Sequence, residues 1–80
     1  MAWVYLLQGA KGRFYLGSTD DLVRRLAQHQ SGHTPSTKRL GLPIKLVASK
    51  SYPSLTEARA MERRLKLWKN PQRVLQYLQV

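Results

Sequence analysis

The chain has 80 residues, room for one core and one domain, and its 42% hydrophobic content excludes a disordered chain. It has no cysteine, which excludes disulfides and thiolate metal sites, and no apolar run near the roughly 20 residues of a membrane span. Fourteen Lys and Arg against four Asp and Glu give a formal net charge of +10, an excess best explained by a polyanionic partner.

Nucleic acid is the first candidate partner, because several phosphate contacts would each release a counterion. A membrane surface ranks below it, since no basic amphipathic segment with a broad aromatic face stands out. The N-terminus lacks the shape of a signal peptide, and the absence of cysteine permits a cytoplasmic setting.

The first two strands are expected at about residues 2–8 and 13–18, joined by a polar Gly-Ala-Lys-Gly loop as a hairpin. In the first, Trp3, Tyr5 and Leu7 point one way and Val4 and Leu6 the other, so both faces are apolar and the strand is central. Each strand carries one tyrosine, Tyr5 and Tyr15. Gly17 marks a place where another group must come close.

Ser18, Thr19, Asp20 and Asp21 open a helix expected over about residues 20–31. Its buried stripe reads as Leu22, Val23 and Leu26, with Arg25 and His29 one turn apart beside it. Residues 33–43, with two prolines, one glycine, Lys38 and Arg39, read as a basic loop too polar to pack. A third strand follows at about residues 44–52, with Ile44, Leu46 and Ala48 on one face. Lys45 and Lys50 near its ends suit a sheet edge.

Ser54 with Glu57 three residues on forms a capping box for the second helix. Leu55, Ala58, Met61, Leu65 and Trp68 form its core stripe. Asn70 before Pro71 caps a last short helix, packed by Val74, Leu75 and Leu78. The order is β-β-α-β-α-α, and the simplest packing is an α+β fold with a small, mainly antiparallel three-stranded sheet flanked by helices.

Among the acids, Asp20, Asp21 and Glu57 sit in first helical turns, where negative charge is favourable. Glu62 lies mid-helix among Arg59, Arg63, Arg64 and Lys66. Two readings stand for it: an i,i+4 ion pair with Lys66, or an oxygen ligand for Mg²⁺. The two tyrosines read as core residues with satisfied hydroxyls, or as proton-handling phenols beside positive charge. Arg25 is an exposed arginine paired with Asp21, or a fork on a phosphate. His29 is a surface histidine near a helix end, or a group that moves a proton near neutral pH.

Trp3-Val4-Tyr5 and Tyr15-Leu16-Gly17, with tyrosines ten residues apart, resemble the paired motifs of the GIY-YIG nuclease superfamily. The run from Ser18 to Leu26, Arg25 ten residues after Tyr15, His29, and the segment ARAMERRLK over 58–66 extend the resemblance from Trp3 to about Trp68. It is nearest to the small stand-alone bacterial members, in which Trp3 in place of the first glycine is common. The resemblance implies a single nuclease domain over residues 1–80 and a metal-dependent endonuclease, acting on DNA before RNA, in repair or recombination. It implies one Mg²⁺ or Mn²⁺ ion held by Glu62. Arg25 matches the phosphate-stabilising arginine, Tyr5 the tyrosine that activates or orients water, and Tyr15 its hydrogen-bonded partner. His29 matches a position that assists proton transfer, and Gly17 the glycine that lets substrate approach. Asn70 is the nearest counterpart of an asparagine that follows the metal-binding helix.

Lys38, Arg39, Arg63, Arg64 and Lys69 are expected to hold the nucleic-acid backbone without reading sequence. Trp3 and Trp68 are expected in the core rather than stacked on a base. The groups of the site are expected to converge on a common hollow. The alternative is a nucleic-acid-binding module of the same fold that has lost turnover. Specificity is expected to come from the loop over residues 33–43 or from a protein partner.

Overall fold

A computed structural model describes residues 1–31 and 39–79. Three strands, β1 (Ala2–Gln8), β2 (Phe14–Thr19) and β3 (Lys45–Tyr52), form one antiparallel sheet in the order β2-β1-β3. Among the described residues three helices follow the expected order: α1 (Leu22–Gln30) precedes β3, and α2 (Leu55–Leu67) and α3 (Pro71–Leu78) come after it.

The alternation of β1 divides the molecule. Val4 and Leu6 join Ala2, Ala48, Ala58, Leu65, Val74 and Leu78 in the larger core, against α2 and α3. Tyr5 and Leu7 face the other way and pack with Leu40 and Ile44, flanked by Tyr15, Leu22 and Leu26 on the α1 side. An apolar strand covered on both faces is what its unbroken hydrophobic run requires. Full burial of one side chain such as Leu65 stabilises by roughly 1.5–3 kcal/mol.

Pairing of β1 with β2 runs without interruption from Trp3 opposite Thr19 to Gln8 opposite Phe14. Pairing with β3 shifts between Leu6 and Leu7, where Leu6 faces Ala48 but Leu7 faces Leu46. This bulge overturns the expected single face for Ile44, Leu46 and Ala48. Ala48 enters the larger core, Ile44 the smaller one, and Leu46 is exposed. An extra residue in one strand switches the side chains beyond it to the other face.

Helix α1 starts later than expected. Thr19 Oγ1 accepts the Asp21 N–H at 3.1 Å, and the Asp21 carboxylate accepts the Arg24 N–H at 3.0 Å. Asp21 is therefore the extended N-cap (φ −142°) rather than a first-turn residue, and Asp20 precedes it. Val23, expected in the stripe, is 80% exposed. The inward face carries Leu22, Leu26 and His29 instead, at spacings of four and three. The Gln30 side-chain amide donates to the Ile44 carbonyl and ties the end of α1 to the start of β3.

The later helices follow their caps. Ser54 Oγ accepts from the Glu57 N–H at 3.2 Å, and Asn70 Oδ1 accepts from the Arg73 N–H at 3.2 Å with Pro71 opening α3. Much of the expected basic loop, Lys38 included, lies outside the described residues. Its end does pack, against expectation: Leu40 is buried, and its carbonyl accepts from the Lys11 N–H at 3.2 Å. At Gly9 an added Cβ would lie 2.2 Å from that carbonyl oxygen, so only glycine lets the two backbones meet.

Candidate active site

The site lies along β2, the edge strand whose outer side has no strand neighbour among the described residues. Tyr5 sits opposite Gly17, and Tyr15 sits opposite Leu7, so the two phenols are diagonal neighbours on the α1 face. Their ring centroids are 6.2 Å apart. His29 comes down from α1 as the third ring, 6.0 Å from Tyr5 and 5.2 Å from Tyr15. Its Nε2 lies 3.2 Å from the Tyr5 hydroxyl. His29 is buried, which corrects its reading as a surface histidine. Its position seven residues after Leu22 on the inward face was the signal for this.

Burial sets the protonation states. It holds the Tyr5 phenol well above its ordinary value, with Tyr15 and Glu62 adding to the shift and Arg25 opposing it. It also lowers the His29 imidazole below its ordinary value, and the Arg25 charge adds to the effect. Near neutral pH both groups are uncharged, and they share one hydrogen bond along the 3.2 Å contact.

Gly17 explains how the Tyr5 hydroxyl reaches the edge. A Cβ at Gly17 would lie 2.6 Å from the Tyr5 oxygen and 2.7 Å from its ring carbon. The phenol passes over the bare glycine, and any larger residue would displace it.

Helix α2 lies against the opposite face of the sheet from Tyr5 and Tyr15. The groups therefore do not converge on a common hollow as expected; they lie on the two sides of the end of β2. Glu62 accepts from Ser18 Oγ at 2.5 Å, and Lys66 Nζ lies 2.6 Å from its other oxygen. Ser18, Arg59, Glu62 and Arg63 line one hollow on this side. Thr19, Asp20, Asp21, Arg24, Arg25 and Gln28 line another on the α1 side. Ser18 and Thr19 are consecutive, so the end of β2 separates the guanidinium from the carboxylate by one strand. Both charges nevertheless act on the Tyr5 phenol.

The expected pairing of Arg25 with Asp21 is not what holds its side chain. Its Nη1 donates to Gln28 Oε1 at 3.4 Å. The i,i+4 pair of Glu62 with Lys66 is present. Ser18 and Arg59 were not singled out from sequence. Arg59 stands three residues before Glu62 on the same face, and Ser18 points to the side of β2 opposite Tyr15.

The remaining cations scatter. Arg63 is beside Glu62. Lys69 and Asn70 line an apolar cleft with Lys66, Phe14, Leu16 and Pro71. Arg64 lies on another flank of α2, with Trp68 and Tyr77. Arg39 is exposed, and Lys38 is outside the described residues.

Among the described residues, no three His, Asp or Glu side chains gather to cage a metal ion. The donor set at Glu62, one carboxylate with a hydroxyl beside it, fits a hard cation that keeps most of its ligands as water and phosphate oxygens.

The fold is a three-stranded antiparallel sheet with helices on both faces, and paired tyrosines and a histidine cluster on the α1 face. The family model of the GIY-YIG catalytic domain matches residues 1–75, and the chain belongs to the GIY-YIG family. Members of that family are typically endonucleases, and they generally use divalent metals. A UPF0213 protein of Streptococcus pneumoniae is 40% identical over 72 residues, covering 90% of this chain and 73% of its own. A UPF0213 protein of Lactococcus lactis is 35% identical, covering 95% and 91%. The solution NMR structure of a UPF0213 protein from Bacillus halodurans is similar at a TM-score of 0.50 and 37% identity, covering 82% of this chain and 71% of that one. Among the described residues, no helix is long and apolar enough to cross a membrane.

Proposed function

We propose that the protein is a divalent-metal-dependent endonuclease that hydrolyses phosphodiester bonds, with DNA preferred to RNA. One observation carries the reading. A buried phenol, hydrogen-bonded to a neutral histidine, packs against the bare backbone of Gly17 and feels the opposed charges of Arg25 and Glu62.

In this proposal Glu62, steadied by Ser18, holds one Mg²⁺ or Mn²⁺ ion, and Lys66 gives up its place on the carboxylate. The ion, when bound, offsets charge on the phosphate and on the leaving oxygen. Arg25 holds the phosphate and stabilises charge as it grows there. Tyr5 is no base by itself, since burial disfavours its phenolate. It works as a relay instead. The water oxygen bonds to phosphorus as the bond to the leaving oxygen breaks. The water proton passes to the Tyr5 oxygen while the Tyr5 proton passes to His29 Nε2. A neutral His29 is the form that can accept it. Tyr15 packs both rings in place. Gly17, Lys38, Arg39, Arg63, Arg64 and Lys69 take the substrate backbone. Asn70 stays structural, since its side chain caps α3.

The test compares cutting of single-stranded, duplex and branched DNA and RNA by wild type and Glu62→Ala, with Mg²⁺ or Mn²⁺. Metal-dependent cutting by the wild type alone is expected, and equal cutting by both would remove Glu62 from the mechanism. One observation favours the second reading, a binding module without turnover: Lys66 already neutralises Glu62. Tight, salt-sensitive binding with no cutting of any substrate would establish it.

A further inference from the structure

Trp68, expected to end the α2 core stripe, lies on the surface. It caps α2, and the chain turns sharply at Lys69 (φ +51°) into α3. The Arg73 guanidinium carbon stands 4.8 Å from the indole centroid. Tyr77 meets the indole edge-on at 5.7 Å, and Lys50 Nζ sits 4.6 Å from the Tyr77 ring centre. The order across this surface is cation, ring, ring, cation.

Met61, Arg64 and Leu67 complete a shallow hollow with Trp68 and Tyr77. None of the chain's four acids lines it. Glu62 and Trp68 are six residues apart on α2, about 120° around the helix axis, so this flank is distinct from the Glu62 hollow. Every charge on the patch is positive, on a chain of net charge +10, so its occupant is a polyanion. Partly exposed rings interleaved with cations fit a polyanion that carries flat, stackable groups.

We propose that Trp68 and Tyr77, with Lys50, Arg64 and Arg73, form a second nucleic-acid contact that stacks the bases of a single strand. A paired duplex hides the ring faces of its bases, so the patch selects substrates with an unpaired segment. The inference rests on nucleic acid being the partner, and it does not depend on cleavage.

Binding is measured without divalent metal, so cutting plays no part. In a Trp3→Phe background the fluorescence reports Trp68 alone, and an oligothymidylate of about 16 residues, a length within the site sizes of single-strand binders, is the probe. Quenching of Trp68 is expected. Trp68→Leu is expected to weaken binding of this strand by roughly 5- to 100-fold while duplex binding changes little. Trp68→Phe, which keeps a ring and the packing at the corner, retains most of the affinity. Unquenched Trp68, or equal single-strand affinity in wild type and Trp68→Leu, overturns the inference. If Trp68→Leu fails to fold, the quenching and the Trp68→Phe result decide it. Wild type that binds no oligonucleotide sinks this inference and the nuclease reading together. Binding indifferent to Trp68 sinks this inference alone.

Discussion

The two faces of β1 treat polar chemistry in opposite ways. On the α1 face Tyr5 and His29 are sealed inside, uncharged, with their protonation fixed by burial. On the α2 face Glu62 is only half-buried, held by the Ser18 hydroxyl and the Lys66 ammonium. A proton relay gains from a fixed, dry setting, because its pKa values and geometry then need no rearrangement. A cation site gains from the reverse, since the ion must enter and water must follow. In the proposed mechanism the end of β2, which lies between the two environments, is where both would act on one phosphate.

Removing the reacting groups gives the largest expected effect. Tyr5→Phe keeps the buried ring and removes only the relay oxygen. Its cutting rate should fall by roughly 10²–10⁴-fold at saturating metal. Glu62→Gln should instead shift the metal dependence, seen as a higher Mg²⁺ midpoint. If both variants respond alike to added metal, the division of labour between the faces is wrong.

Core truncation separates the faces by stability. Leu65→Ala should cost about 2–5 kcal/mol in denaturant unfolding, because Leu65 is fully buried in the larger core. Val23→Ala, at an exposed position of α1, should stay within about 0.5 kcal/mol.

The pH dependence sharpens the contrast on the α1 side. The His29 value is lower in the folded chain than the ordinary 6.5, so below that pH the unfolded chain binds the proton first. Stability should therefore fall as pH drops from about 6.5, and His29→Gln should flatten that limb of the urea-midpoint profile. The opposite sign holds for the phenols. Tyr5 is raised, and Tyr52 is pushed up to about 12 by burial and by its Tyr77 neighbour. Stability should be lost as pH rises above about 10, where the unfolded phenols ionise first. A small effect also belongs to the half-exposed ion pair of Lys66 with Glu62. Lys66→Met should change stability by under about 1 kcal/mol, measured by thermal melting.

The sequence carried the order of elements because its caps and apolar periods were strong. Ser54 with Glu57, Asn70 with Pro71, and the two-faced β1 all fold as their chemistry demands. The nearness of Tyr5, Tyr15 and His29 was legible only through the family resemblance, since each residue taken alone reads as ordinary packing or surface. Three things were not. The β3 bulge that sends Ile44 and Ala48 to different cores leaves no mark in the apolar pattern. The inward turn of His29 was masked by Val23, whose apolar side chain imitates a stripe residue on a helix of only nine positions. The place of Glu62 behind the sheet depends on which face α2 covers, a matter of tertiary packing that no local spacing encodes.

The irregularity of the sheet falls entirely on the β3 side, and the ladder between β1 and β2 is unbroken. A slip of one residue in that ladder would exchange every inward and outward side chain and carry Tyr5 away from its glycine window. Length changes near Leu46 and Val47 can be absorbed where a bulge already exists, whereas a single insertion between Phe14 and Gly17 would displace both the phenol and the packing of Phe14 and Leu16. The strand that looks most replaceable, an outer one, thus keeps time for the chemistry.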